Sequence, residues 1–209
     1  VTDAQGFYDY WMLKLNSSGE LQWQKSFGFP GSDRGYAIVQ TTDEGYFLSG
    51  YLDVTASEGQ GNDRSAGVLH GVGEFWGVKL DAEGNKEWRR YFGGTNNDRS
   101  YDAIQAEDGG FIMVGNSESD DYDITDPRGS YDFWVVKTNA EGELQWQKNF
   151  GGSSIDIAYG ITKTLDGNYV VTGDIRSTDG DVSQIHGNAD VWVIKIDDSG
   201  NLLWKQNLG

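Results

Sequence analysis

The chain has 209 residues, 37% of them hydrophobic, a formal charge of −17 and no cysteine. That is enough apolar material for a real core. The charge argues against nucleic acid or an anionic membrane surface as partner and is compatible with divalent cations, and the missing thiols exclude disulfides, thiol catalysis and zinc–thiolate sites. Thirty glycines against two prolines point to many tight turns, no apolar run approaches the length of a membrane span, and no secretion signal is visible.

In chain order, the first segment, residues 1–32, contains "DYWMLKLNSSGELQW" at 9–23. Close variants follow at 74–88, 132–146 and 190–204. Trp11, Trp76, Trp134 and Trp192 anchor the four copies, recurring 65, 58 and 58 residues apart. Each is followed by a lysine (Lys14, Lys79, Lys137, Lys195), a glycine (Gly19, Gly84, Gly142, Gly200) and a second tryptophan (Trp23, Trp88, Trp146, Trp204). Between the copies lies a second block, at 33–50, 98–115 and 156–173. It opens on Asp33, Asp98 or Asp156, continues through Tyr36, Tyr101 or Tyr159, turns at Asp43, Asp108 or Asp166, and closes on Gly50, Gly115 or Gly173. The extra residues of the first interval fall in the 51–75 connection, where a loop can lengthen at little entropic cost.

Each unit reads as strand, turn, strand, turn, strand, long loop, strand. Short β-rich runs such as "AYGITKT" and "NYVVTGD" flank an Asp-Gly turn at 166–167. In 191–196 both faces are apolar, which predicts burial on both sides, and in 144–150 one face is polar, which suits an outer edge. The fold predicted is all-β: a β-propeller of four-stranded antiparallel blades. Residues 1–32 supply a half blade, and 33–92, 93–150 and 151–209 a blade each, within one domain. The tryptophans are read as core between blades. Three and a half blades leave a ring open, so the chain is expected to be part of a larger propeller of six to eight blades, closed by further residues of the same protein or by a second copy.

The hairpin "D-G-x-Y-x-V-x-G" (166–173), the strand "D-x-W-V-[VI]-K" (132–137, 190–195) and the strand "G-x-L-x-W-x-K-x-F-G-G" (142–152) resemble the repeats of secreted bacterial proteins. They are similar to the SBBP propeller repeats and to repeats of surface proteins exported by type IX secretion. The resemblance implies an extracellular or cell-surface location in a bacterium and adhesion or scaffold duty, and it supplies no catalytic residues.

The long loops hold the candidate site residues. Asp121, Asp123 and Asp132, and in the next unit Asp179, Asp181 and Asp190, place carboxylates two apart on Gly-rich loops, a pattern able to wrap calcium with loop carbonyls. The same aspartates equally suit turn capping. His70 and His186 precede the loop glycine, where other copies have Gln5 and Arg128, which reads as packing or hydrogen bonding. The insertion at 56–73 offers Glu58, Asp63, Arg64 and His70 as contacts for a protein partner. The expected function is a non-enzymatic interaction or scaffold module. The alternatives are a carbohydrate-binding propeller using Tyr122 and Tyr131, and a glycan hydrolase or lyase whose carboxylates converge from several blades.

Overall fold

The computed structural model describes residues 4–63 and 70–209. Every regular element in them is a β-strand. A two-stranded hairpin, β1 (Tyr10–Leu15) and β2 (Leu21–Phe27), precedes three four-stranded antiparallel sheets. The first is β3 (Arg34–Gln40), β4 (Tyr46–Leu52), β5 (Glu74–Leu80) and β6 (Lys86–Phe92). The second is β7 (Asp98–Gln105), β8 (Phe111–Ser117), β9 (Asp132–Thr138) and β10 (Leu144–Phe150). The third is β11 (Asp156–Lys163), β12 (Tyr169–Ile175), β13 (Asp190–Ile196) and β14 (Leu202–Leu208). In each sheet the strands lie in chain order, and β1 and β2 match the last two strands of a sheet.

Local sequence explains each turn. Outer turns put Gly19, Gly84, Gly142 and Gly200 at φ of 80°, 75°, 75° and 76°, where a side chain would be strained. The Asn or Asp three residues earlier accepts amide hydrogen bonds across the turn, as Asn139 Oδ1 does from Glu141 and Glu143. The first strand of each sheet is irregular at its tyrosine: the pairing of β3 with β4, β7 with β8 and β11 with β12 slips at Tyr36, Tyr101 and Tyr159. Opposite the slip stands Gly50, Gly115 or Gly173, where a Cβ would run into the backbone carbonyl of Arg34, Arg99 or Ile157. The pairing also sets each of these glycines against the anchoring tryptophan: Gly50 with Trp76, Gly115 with Trp134, Gly173 with Trp192.

The sheets stack face to face. Trp76 meets Tyr10 of the hairpin with ring centroids 4.7 Å apart, Trp134 meets Phe75 at 4.4 Å, and Trp192 meets Phe133 at 5.1 Å. These three indoles are 0–1% exposed. The second tryptophans bridge the outer margins: Trp88 Nε1 donates to Ala140 O at 2.9 Å and Trp146 Nε1 to Asp198 O at 3.0 Å. At the opposite margin the first strands β3, β7 and β11 run side by side. Their displaced tyrosines form a row, Tyr36 to Tyr101 at 5.2 Å and Tyr101 to Tyr159 at 5.3 Å.

Burial departs from the expectation at both ends of the stack: Trp11 and Trp204, read as core, are 53% and 45% exposed, and β13 is buried on one face only. β5 and β9 are buried on both faces, but β13 buries Trp192, Ile194 and Ile196 and leaves Val191 exposed and Val193 and Lys195 half-buried. Among the described residues nothing packs on that side of β13.

Candidate functional site

The loop aspartates act first on the backbone. The connection between β8 and β9 clips the segment that leads out of the preceding sheet: Asp121 Oδ1 accepts from Thr95 N at 2.8 Å, and Asp123 Oδ2 from Gly93 N at 3.1 Å. One repeat later Asp179 Oδ1 accepts from Ser153 N at 2.7 Å, and Asp181 Oδ2 from Gly151 N at 3.4 Å and from Arg128 Nη1 at 2.6 Å. Asp132 accepts from Arg128 N at 2.7 Å, and Asp190 from His186 N at 3.0 Å, each folding its loop back four residues before the tryptophan strand. All six carboxylates proposed for calcium thus face N–H donors, the capping geometry. Among the described residues no group of three or more His, Asp or Glu side chains is arranged to hold a metal ion.

The aspartate that opens each first strand is a buried staple. Asp98 accepts from Gly94 N, Glu118 N and Ser119 Oγ, and Asp156 from Gly152 N, Arg176 N and Ser177 Oγ. Asp33 accepts from Phe29 N and Asp53 N. Burial, outweighing these hydrogen bonds, pushes Asp33 and Asp98 up to about 6, and burial does the same to Asp132.

The insertion does not gather its predicted residues. His70 stacks on Tyr122 with centroids 4.9 Å apart and planes 6° from parallel, and its Nδ1 lies 3.3 Å from Glu74 Oε2. Burial holds the His70 imidazole below its ordinary pKa and Glu74 well above the usual carboxylate range, so it works against charge on both partners of this contact. Asp63 instead pairs with Lys86 at 2.7 Å and Arg89 at 3.1 Å on β6. Glu58 stands in an exposed turn at φ 54°, and Arg64 lies outside the described residues. Of the two aromatics, Tyr122 is taken by His70, while Tyr131 forms a parallel bridge with Ile155.

Two further features lie outside the long loops. Each anchoring lysine reaches the turn aspartate of its own sheet: Lys79 to Asp43 at 2.8 Å, Lys137 to Asp108 at 2.6 Å, Lys195 to Asp166 at 2.6 Å. The recurrence of both residues in step was the available signal. The other is the pair of open ends. Trp11 is 53% exposed, unlike its three counterparts, and with Leu13 and Leu15 it forms the bare side of β1. β13 is bare on the opposite side, at Val191. No protein-family model matches the chain, and no curated protein matches it either.

Proposed function

We propose that the chain is an arc of a β-propeller that serves as a non-enzymatic interaction or scaffold module, outside the cell or at its surface. One observation carries this reading: the two bare faces are complementary. Within the chain, the side of a third strand that bears Phe75 or Phe133 packs on the side of the next that bears Trp134 or Trp192. The last sheet offers the first kind of side, at Val191, and the hairpin offers the second, at Trp11. The close approach of the first strands, with tryptophans filling the wider outer margin, supports a radial fan. The surface location rests on the resemblance of the repeats, and the carboxylates that recur in step are engaged by backbone donors, which favours a structural over a catalytic role.

Small-angle scattering and sedimentation velocity test it together. A curved arc and reversible end-to-end association, weakened by Val191→Glu, are expected. A straight-rod profile, or a chain that stays monomeric at every concentration, would reject it.

A further inference from the structure

We propose that the row of tyrosines on β3, β7 and β11, together with Arg34 and Arg99, binds an acidic oligosaccharide, with a carboxylate on the guanidinium groups and sugar rings along the tyrosines. The proposal goes beyond the scaffold reading and needs no closed ring, because the row is complete within three consecutive sheets. Tyr36 meets Tyr101 at 5.2 Å, and Tyr101 meets Tyr159 at 5.3 Å. Tyr51 of β4 joins the row 6.1 Å from Tyr36, and the Arg99 guanidinium lies over the Tyr51 ring at 5.1 Å. Arg34 lies over Tyr8 at 4.4 Å. The middle sheet has a neighbour on each side and still leaves Arg99 and Tyr101 only partly buried. Access at the centre of the row is therefore a property of this margin.

The positions beside the row break the repeat that the tyrosines keep. The residue after the opening aspartate is Arg34, Arg99 and then Ile157, and the one after the closing glycine is Tyr51, Asn116 and then Asp174. The strand register sets them against one another: Arg34 with Tyr51, Arg99 with Asn116, Ile157 with Asp174. Both arginines flank Tyr51, one as its cross-strand partner and one over its ring. Charge thus runs along the row from two arginines on the first and second sheets to an aspartate on the third. Residues that only hold the fold recur in step, whereas a site for one ligand departs from the repeat. Arg89 and Arg128, elsewhere in the chain, hold Asp63 and Asp181. Among the described residues Arg34 and Arg99 form no ion pair and rest only on aromatic rings. In a chain of net charge −17 these two cations are free to take an incoming carboxylate in a bidentate, charge-assisted bond.

Spacing selects the class of ligand. The distance from one tyrosine to the next matches the length of one pyranose unit in an extended glycan, so successive sugars meet successive rings. Phenol hydroxyls, which both donate and accept, suit a ligand covered in hydroxyls. An extended peptide presents side chains on one side only every ~6.6 Å, two residues of strand, and runs out of step with the row. Nucleic acid carries a charge on every unit, which the net charge of the chain opposes. Asp174 sets the same limit locally: acidic sugars must alternate with neutral ones. A uronate sits at Arg34 and Arg99, and neutral sugar covers the end of the row beside Asp174.

Calorimetric titration of the full chain tests it with two hexasaccharides, in which glucuronate alternates with N-acetylglucosamine or with N-acetylgalactosamine. One of them at least is expected to bind, one molecule per chain. Reducing its carboxylates to alcohols is expected to weaken binding about tenfold. Arg99→Gln is expected to weaken the acidic form by the same factor and to leave the reduced form unchanged. Arg34→Gln, on an exposed side chain, repeats that test where folding is not at stake. Tyr101→Ala is expected to weaken both forms, about fivefold, with circular dichroism unchanged, and Tyr122→Ala, off the row, to change neither. Absence of binding by both acidic hexasaccharides overturns the proposal. So does binding indifferent to the two arginine variants and Tyr101→Ala, or equal affinity for the carboxyl-reduced form. Tighter binding of a glutamate hexapeptide than of either sugar overturns it too, by assigning the arginines to a protein ligand. If no sugar binds while arc-shaped scattering and end-to-end association persist, only this proposal falls and the scaffold reading stands.

Discussion

The middle sheet and the leading hairpin are built from nearly the same words and end in different environments. Trp134 is fully buried and Trp11 is 53% exposed, though each begins the run Trp-x-x-Lys. Trp88 and Trp146 lie across the next outer turn, while Trp204 meets no such turn among the described residues and is exposed. Burial at a repeat position is therefore set by the neighbouring unit and only permitted by the residue. The sharpest way to break this comparison is truncation of the matched tryptophans. Trp134→Ala is expected to cost about 3–5 kcal/mol, the range for large aromatic deletions in cores. Trp11→Ala is expected to cost under about 1 kcal/mol, as for surface changes. Denaturant unfolding of the two variants measures both; equal costs would mean that the hairpin face is covered in solution.

A smaller effect sharpens the same contrast at the outer turns. Gly19 and Gly142 share a left-handed conformation, but a Cβ at Gly19 meets nothing within 4 Å, while one at Gly142 runs into Trp88 of the preceding sheet. Gly19→Ala is expected to cost only the left-handed strain, about 1 kcal/mol. Gly142→Ala adds overpacking of about 1–3 kcal/mol. Thermal unfolding of the pair separates the two contributions, and a Gly19→Ala cost as large as that of Gly142→Ala would show a hidden neighbour at the first turn.

Repetition made the strand order, the turns and the polar outer strands legible, because period-two alternation and Asp-Gly turns are local signals. It equally made Trp76, Trp134 and Trp192 legible as core. In 191–196 only one face is buried, because alternation reports what a strand can bury, and among the described residues no unit lies against Val191. The loop aspartates were visible as a pattern, but the backbone groups they accept from lie far off in sequence. Asp121 meets Thr95, and Asp179 meets Ser153. The pairing of each anchoring lysine with a turn aspartate was likewise in view as two parallel series, and only the register of the strands joined them.

Titration separates the buried staples from these surface pairs, with opposite signs. Asp33, Asp98 and Asp132 are raised to about 6 by burial, so the fold binds their protons more tightly than the unfolded chain does. Their contribution to stability is complete below about pH 4, near the ordinary carboxylate value, and is lost as pH rises through 6. Asp43 is lowered to about 2, chiefly by its hydrogen bond to Lys79, and Asp166 is lowered by Lys195. Their contribution is present above the ordinary value and is lost as pH falls toward 2. The two trends together place the maximum of Tm between about pH 4 and 6. Asp98→Asn is expected to flatten the descent on the alkaline side and Asp43→Asn the one on the acid side. A Tm that rises steadily from pH 5 to 8 would mean that the staples ionise in the fold as easily as in water, and that their burial is not what distinguishes the loop end from the rest of the surface.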